Sequence, residues 1–128
     1  MREITTHHDG HGLAELIGVL AVGEEHAGAP HRYEFYRNSD LGPVEGETVP
    51  VGFLQFQRGP RGISGSTSGL ITVAVLAALI DHHRGFQAGP FPSRENALVI
   101  TKLEEALHWL RARADERAAR GVLGKEQK

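Results

Sequence analysis

The 128-residue sequence has no cysteine. That absence excludes a disulfide scaffold, a cysteine-ligated zinc or iron–sulfur centre and a thiol nucleophile, and it fits a reducing compartment. Long hydrophobic runs are also missing: the longest, Leu70 to Ile80, has 11 residues, against the ~20 needed to span a bilayer. The segment Met1 to Gly12 is polar and histidine-rich, unlike a secretory signal. A soluble protein of the cytoplasm is expected. Aromatic residues make up 6%, hydrophobic residues 40% and charged residues 23%, an ordinary globular composition rather than a disordered or collagen-like one.

Signatures of catalysis are equally scarce. There is no Walker A loop, no H-E-x-x-H and no G-x-S-x-G; the nearby GSTSG at 65–69 lacks a strand–elbow–helix context. No histidine is followed two positions later by Ser or Thr, which excludes a phosphoesterase of the paired His-x-Ser/Thr type. His7 and His11 have the i, i+4 spacing of a metal pair, but Gly10 and Gly12 argue against the helix it needs. The expectation is a binding protein, not an enzyme, with no metal and no cofactor.

Net charge is −2, too small to drive binding to a nucleic-acid polymer. Its distribution says more: residues 1–66 carry 5 basic and 9 acidic side chains, and residues 84–128 carry 9 basic and 6 acidic. Positive charge local to the last third suits a small anion.

The pattern changes near residue 66. Most of the glycines and four of the six prolines precede it. They punctuate three candidate strands: Leu13–Val22, which is also compatible with a helical turn, Arg32–Arg37 and Val49–Gln57. Turns are expected at GAP, NSDLGP and RGPRG. In Arg32–Arg37, Tyr33 and Phe35 fall on one face and Arg32, Glu34 and Tyr36 on the other. Beyond this region, Thr72–Arg84 reads as a helix apolar on every side, and hence buried on every side, with Gly85 ending it. A connection Gly85–Ser93 holds Pro90 and Pro92. Ser93 is a fitting N-cap for a second helix running to about Arg120, with Gly121 stopping it. The predicted class is α+β: an antiparallel β region, 1–66, and a two-helix hairpin, 67–128, that oligomerises.

The second helix carries a seam spaced 4, 3, 4, 3, 4: Asn96, Ile100, Leu103, Leu107, Leu110 and Ala114. Asn96 either bonds the connection and sets helix register, or reads the edge of a bound base or ribose. Arg113, Arg117 and Arg120 lie at i, i+4, i+7. They form either a solvated face that suits the helix C-terminus or a phosphate clamp. Asn96 and the arginines lie ~25–36 Å apart along one helix. Two helices packed antiparallel would bring them together, so an isologous dimer would make two identical pockets. Phe86 and Phe91 either plug the hairpin end or stack on a base.

The stretch GFQAGPFPSRENALVITKLEEALHWLRARADERAARGVLG, Gly85 to Gly124, with HHDGHG at 7–12, HRYEF at 31–35 and FQRGPR at 56–61, resembles the first type of phage Thoeris anti-defence protein. That family shares its hairpin with the second anti-CBASS protein. The resemblance implies binding without cleavage: such proteins sequester immune signal nucleotides in the cytoplasm of the infected bacterium. The signals are glycocyclic ADP-ribose and, for some members, the cyclic di- or trinucleotides of CBASS. It also implies dimers, or hexamers built from dimers. By the same resemblance Phe86 is the stacking residue and Asn96 the hydrogen-bonding one, with Arg94 beside it in the Arg-Glu-Asn-Ala run. Arg113 and one of Arg117 or Arg120 bind phosphate. Ser93 replaces a cysteine common in relatives. Competing readings are a nucleotide hydrolase using the His7/His8/His11 region and a purely structural oligomerisation protein.

Overall fold

Alternation dictates the first element pattern. In the computed structural model, which describes residues 1–38, 49–67 and 69–126, the described strands are β1 (Arg2–Ile4), β2 (Ile17–Val22), β3 (Arg32–Arg37) and β4 (Gly52–Gln55). They form one antiparallel sheet in the order β1-β2-β3-β4. Val19 opposes Phe35, and Ala21 opposes Tyr33, which opposes Leu54. Paired residues share a face, so these make the apolar side, centred on the buried Ala21. On the other side Glu34 accepts from Arg32 Nε at 3.0 Å and from the Tyr36 hydroxyl at 2.8 Å. The Arg32 guanidinium stands 4.3 Å from the centroid of the Phe53 ring, a cation–π contact. The two faces expected for Arg32–Arg37 are therefore those found.

Three expectations change. The strand expected over Leu13–Val22 begins at Ile17, because Ala14–Leu16 forms one 3-10 turn. The Glu15 carboxylate accepts the backbone N–H groups of Asp9 and Gly10, both at 2.8 Å, and of Gly12 at 3.0 Å. It thereby folds the HHDGHG segment into a loop. The strand expected over Val49–Gln57 shortens to Gly52–Gln55, since Pro50 has no N–H to give a ladder. The strand β1 was not expected: three residues are too few to show a period, and Arg2 pairs only because the edge of β2 offers Ala21. The turn expected over NSDLGP lies, from residue 39 onward, outside the described residues.

Those N–H groups, that of Gly10 foremost, lower the Glu15 carboxyl to about 2. A lowered pKa means that the bonds favour the loop above the ordinary carboxylate pKa and lose that effect as pH falls through about 2. A carboxyl NMR titration is expected to place the Glu15 midpoint near 2. In Glu15→Gln the amides of Asp9, Gly10 and Gly12 exchange faster at neutral pH. An ordinary midpoint near 4.5 would contradict this account.

The chain divides into two units, Met1–Arg58 with Thr67–Gly69, and Gly59–Ser66 with Leu70–Lys128. The second contains α1 (Thr72–Ala88) and α2 (Arg94–Ala119). Gly85 does not end α1. Its backbone stays helical, and α1 runs on until Gly89, whose N–H bonds Phe86 O at 3.2 Å ahead of Pro90. The connection is thus Gly89–Ser93, and Phe86 belongs to a helix. Ser93 caps α2 as expected, its hydroxyl accepting from Asn96 N at 3.0 Å. Gly121, with φ +75°, follows the end of α2, a conformation open chiefly to glycine.

The seam of α2 is half-buried throughout, and α1 is shielded along Val73, Leu76, Ile80, His83 and Gln87, with Val75 half-buried beside that stripe. Both series follow 3–4 spacing, the signature of helices packed side by side. Burial on every side of α1 is not found. Leu76 and Ile80 are buried, while Leu79 is 40% exposed and Ala77 and Ala78 are exposed, because one partner helix covers only one stripe.

Candidate functional site

The hairpin's closed end gathers the polar and aromatic residues. His83 and Gln87, one turn apart on α1, face the start of α2. Asn96 Oδ1 accepts from His83 Nδ1 at 2.8 Å. Asn96 Nδ2 donates to His83 O at 3.0 Å and to Gln87 Oε1 at 2.9 Å. Gln87 Oε1 also accepts from Ser93 N at 3.2 Å. Both Asn96 amide protons are used inside the chain, and among the described residues one lone pair on Oδ1 and the Gln87 amide nitrogen have no partner. The seam asparagine therefore ties the start of α2 to the last turns of α1. His83 and Gln87 were missed in the sequence, although they are the two polar positions in the α1 stripe 73, 76, 80, 83, 87.

Phe86 sits on the neighbouring stripe of α1 and is 49% exposed. His82 packs against its ring at 4.9 Å, with planes at 86°. This edge contact supports the ring without covering its outer face. With Gly85, Gly89, Pro90 and Phe91 these residues line an open recess of about 400 Å³. Phe91 is 78% exposed. Neither phenylalanine plugs the hairpin core.

The arginines separate into different environments. Arg117 is 7% exposed and donates through Nη2 to Val122 O at 3.1 Å and Lys125 O at 2.7 Å. It ties down the turn after α2. Arg120 pairs with Glu116 one turn back. Arg113 is exposed with no polar partner among the described residues. So is Arg94 at the first position of α2, where the helix end repels a cation and an anion would offset that cost. A second recess, about 420 Å³, lies along the hairpin between Asp81, Arg84, Glu104 and Arg111. Its Arg84–Glu104 pair at 3.6 Å and mixed charge give it no preference for anions.

In the HHDGHG segment His7 Nε2 donates to Ile17 O at 2.8 Å, and Asp9 Oδ1 accepts from His11 N at 2.9 Å. Among the described residues no three His, Asp or Glu side chains gather around a common point. No described helix is long and apolar enough to cross a membrane.

The family model described as Acb2/Tad1, hairpin domain, matches residues 54–115, the segment that contains α1 and most of α2. The chain is also similar to a protein named Thoeris anti-defense 1 from Bacillus phage SBSphiJ7, at 44% identity over 75 residues. That match covers 59% of this chain and 52% of the relative, so the chain matches about half of that protein's length. The chain is thus similar to a phage Thoeris anti-defence protein, and its residues 54–115 match the Acb2/Tad1 hairpin domain, in line with the resemblance carried by the motifs around the hairpin tip.

Proposed function

We propose that this chain acts in anti-defence by capturing an intact immune signal nucleotide, glycocyclic ADP-ribose, at the closed end of its hairpin. The observation that carries the reading is the exposed Phe86 ring, supported edge-on by His82 and set in an open recess. Such a ring gives a flat platform for a base or ribose. Asn96 and Gln87, held in one orientation by their mutual bonds, supply the polar edge beside it, and Arg94 supplies charge for phosphate.

Two copies complete the arrangement. Arg113 lies 17 residues beyond Asn96, ~25 Å along α2, so it serves the recess of a second copy rather than its own. The exposed Leu79, Leu98 and Val99 give such a pair apolar surface to bury. Cyclic trinucleotides of CBASS, with three phosphates, are the ligands suited to Arg113 where copies meet, and Arg117 and Arg120 shape the same helix end. Capture needs a dissociation constant below the signal concentration, in the nanomolar range, about −12 kcal/mol.

Calorimetric titration with glycocyclic ADP-ribose, followed by denaturation and mass analysis of the released ligand, is expected to show tight binding and unaltered nucleotide. Recovery of a cleaved product would replace this reading with that of a hydrolase. No binding at micromolar protein would remove it.

A further inference from the structure

Gly85 is unexplained by the chain's own needs. It lies inside α1 with helical backbone rather than at the helix end. A Cβ built on it meets no atom within 4 Å. Glycine destabilises a helix interior relative to alanine, and here neither a turn, a positive φ nor a close neighbour requires it. Gly85 also lines the recess beside Phe86, and Gly89, one turn on, is the next side-chain-free position on the same side.

We infer that Gly85 is a ligand-contact position: its missing side chain leaves the recess floor open, so that a planar ring of a nucleotide lies against the helix backbone and the face of Phe86. This rests on the capture reading above and deepens it. The occupant follows from three features of the same end of the hairpin. The outer face of Phe86 is uncovered, the recess is lined almost wholly by carbon, and Arg94, a cation with no polar partner among the described residues, follows three residues after Phe91. A flat apolar slot with positive charge at its rim matches a base or ribose that bears phosphate. A methyl group at Gly85 would stand in the slot while improving the helix.

The test is Gly85→Ala on the full chain, with glycocyclic ADP-ribose as the probe and Phe86→Ala in parallel. Stability and affinity are expected to move in opposite directions: the melting midpoint rises by about 2–6 °C, while affinity falls, the dissociation constant growing at least ~10-fold, one decade per 1.4 kcal/mol. The subunit number by native mass spectrometry stays that of the parent. Unchanged binding in Gly85→Ala, with binding lost in Phe86→Ala, would overturn the Gly85 assignment and leave the site standing. Unchanged binding in both would overturn both. A changed subunit number would show that the glycine serves packing between copies, and would also overturn the assignment.

Discussion

Phe86→Ala is expected to weaken capture of glycocyclic ADP-ribose by ~10–100-fold and to leave the hairpin folded. Stacking of one base on an aromatic ring is worth ~1–3 kcal/mol, and 1.4 kcal/mol is one decade of affinity. The folded hairpin loses little, because the ring is 49% exposed and lies off the stripe that faces α2. Its partner is His82, one turn back on the same helix. The melting midpoint therefore moves by only a degree or two. Phe86→Trp keeps a flat ring and retains binding within a few-fold. Calorimetry and thermal melting of the three proteins decide the matter. Wild-type affinity in Phe86→Ala would place the ligand elsewhere, and collapse of the melting midpoint would make Phe86 a core residue.

Phe86, read from the sequence as part of the connection, lies in α1, and the difference shows what periodicity can and cannot carry. The α2 seam from Asn96 to Ala114 announces itself through 3–4 spacing, and the half-burial of all six positions follows it. The end of α1 does not announce itself. Gly85 looks like a stop, but the nearest residue that forbids a helix is Pro90, so α1 keeps its hydrogen bonds through Ala88. That extension moves Phe86 from a loop onto a rigid helix, a better platform for stacking. The partners of Asn96 were hidden for a different reason. His83 and Gln87 meet it only once the register between α1 and α2 is set, and no local pattern encodes that register. The sheet shows the same division. Arg32–Arg37 alternates over six residues and was legible; Arg2–Ile4 is a strand only because β2 presents an edge. Glu15, which draws three N–H groups into one carboxylate, looked like any acidic residue in a polar segment.

The arginine stripe leads to the other large effect, because its members now have separable roles. Arg117→Ala is expected to destabilise the chain by ~3 kcal/mol. Each hydrogen bond from a charged donor contributes ~1.5–3 kcal/mol, and the buried guanidinium holds two carbonyls, Val122 O and Lys125 O, of the turn that closes α2. Arg113→Ala should leave stability within ~0.5 kcal/mol, as for other exposed positions without partners, and still cost ~10-fold in affinity for a cyclic trinucleotide through a lost phosphate contact. Arg120, held by Glu116, falls between the two. Urea unfolding of each variant, paired with titration of a cyclic triadenylate, separates the roles. A Arg117→Ala protein that unfolds with the wild type would refute its structural assignment. A Arg113→Ala protein with undiminished trinucleotide binding would remove that residue from the phosphate site, and with it the argument that a second copy's helix end is needed to complete the pocket.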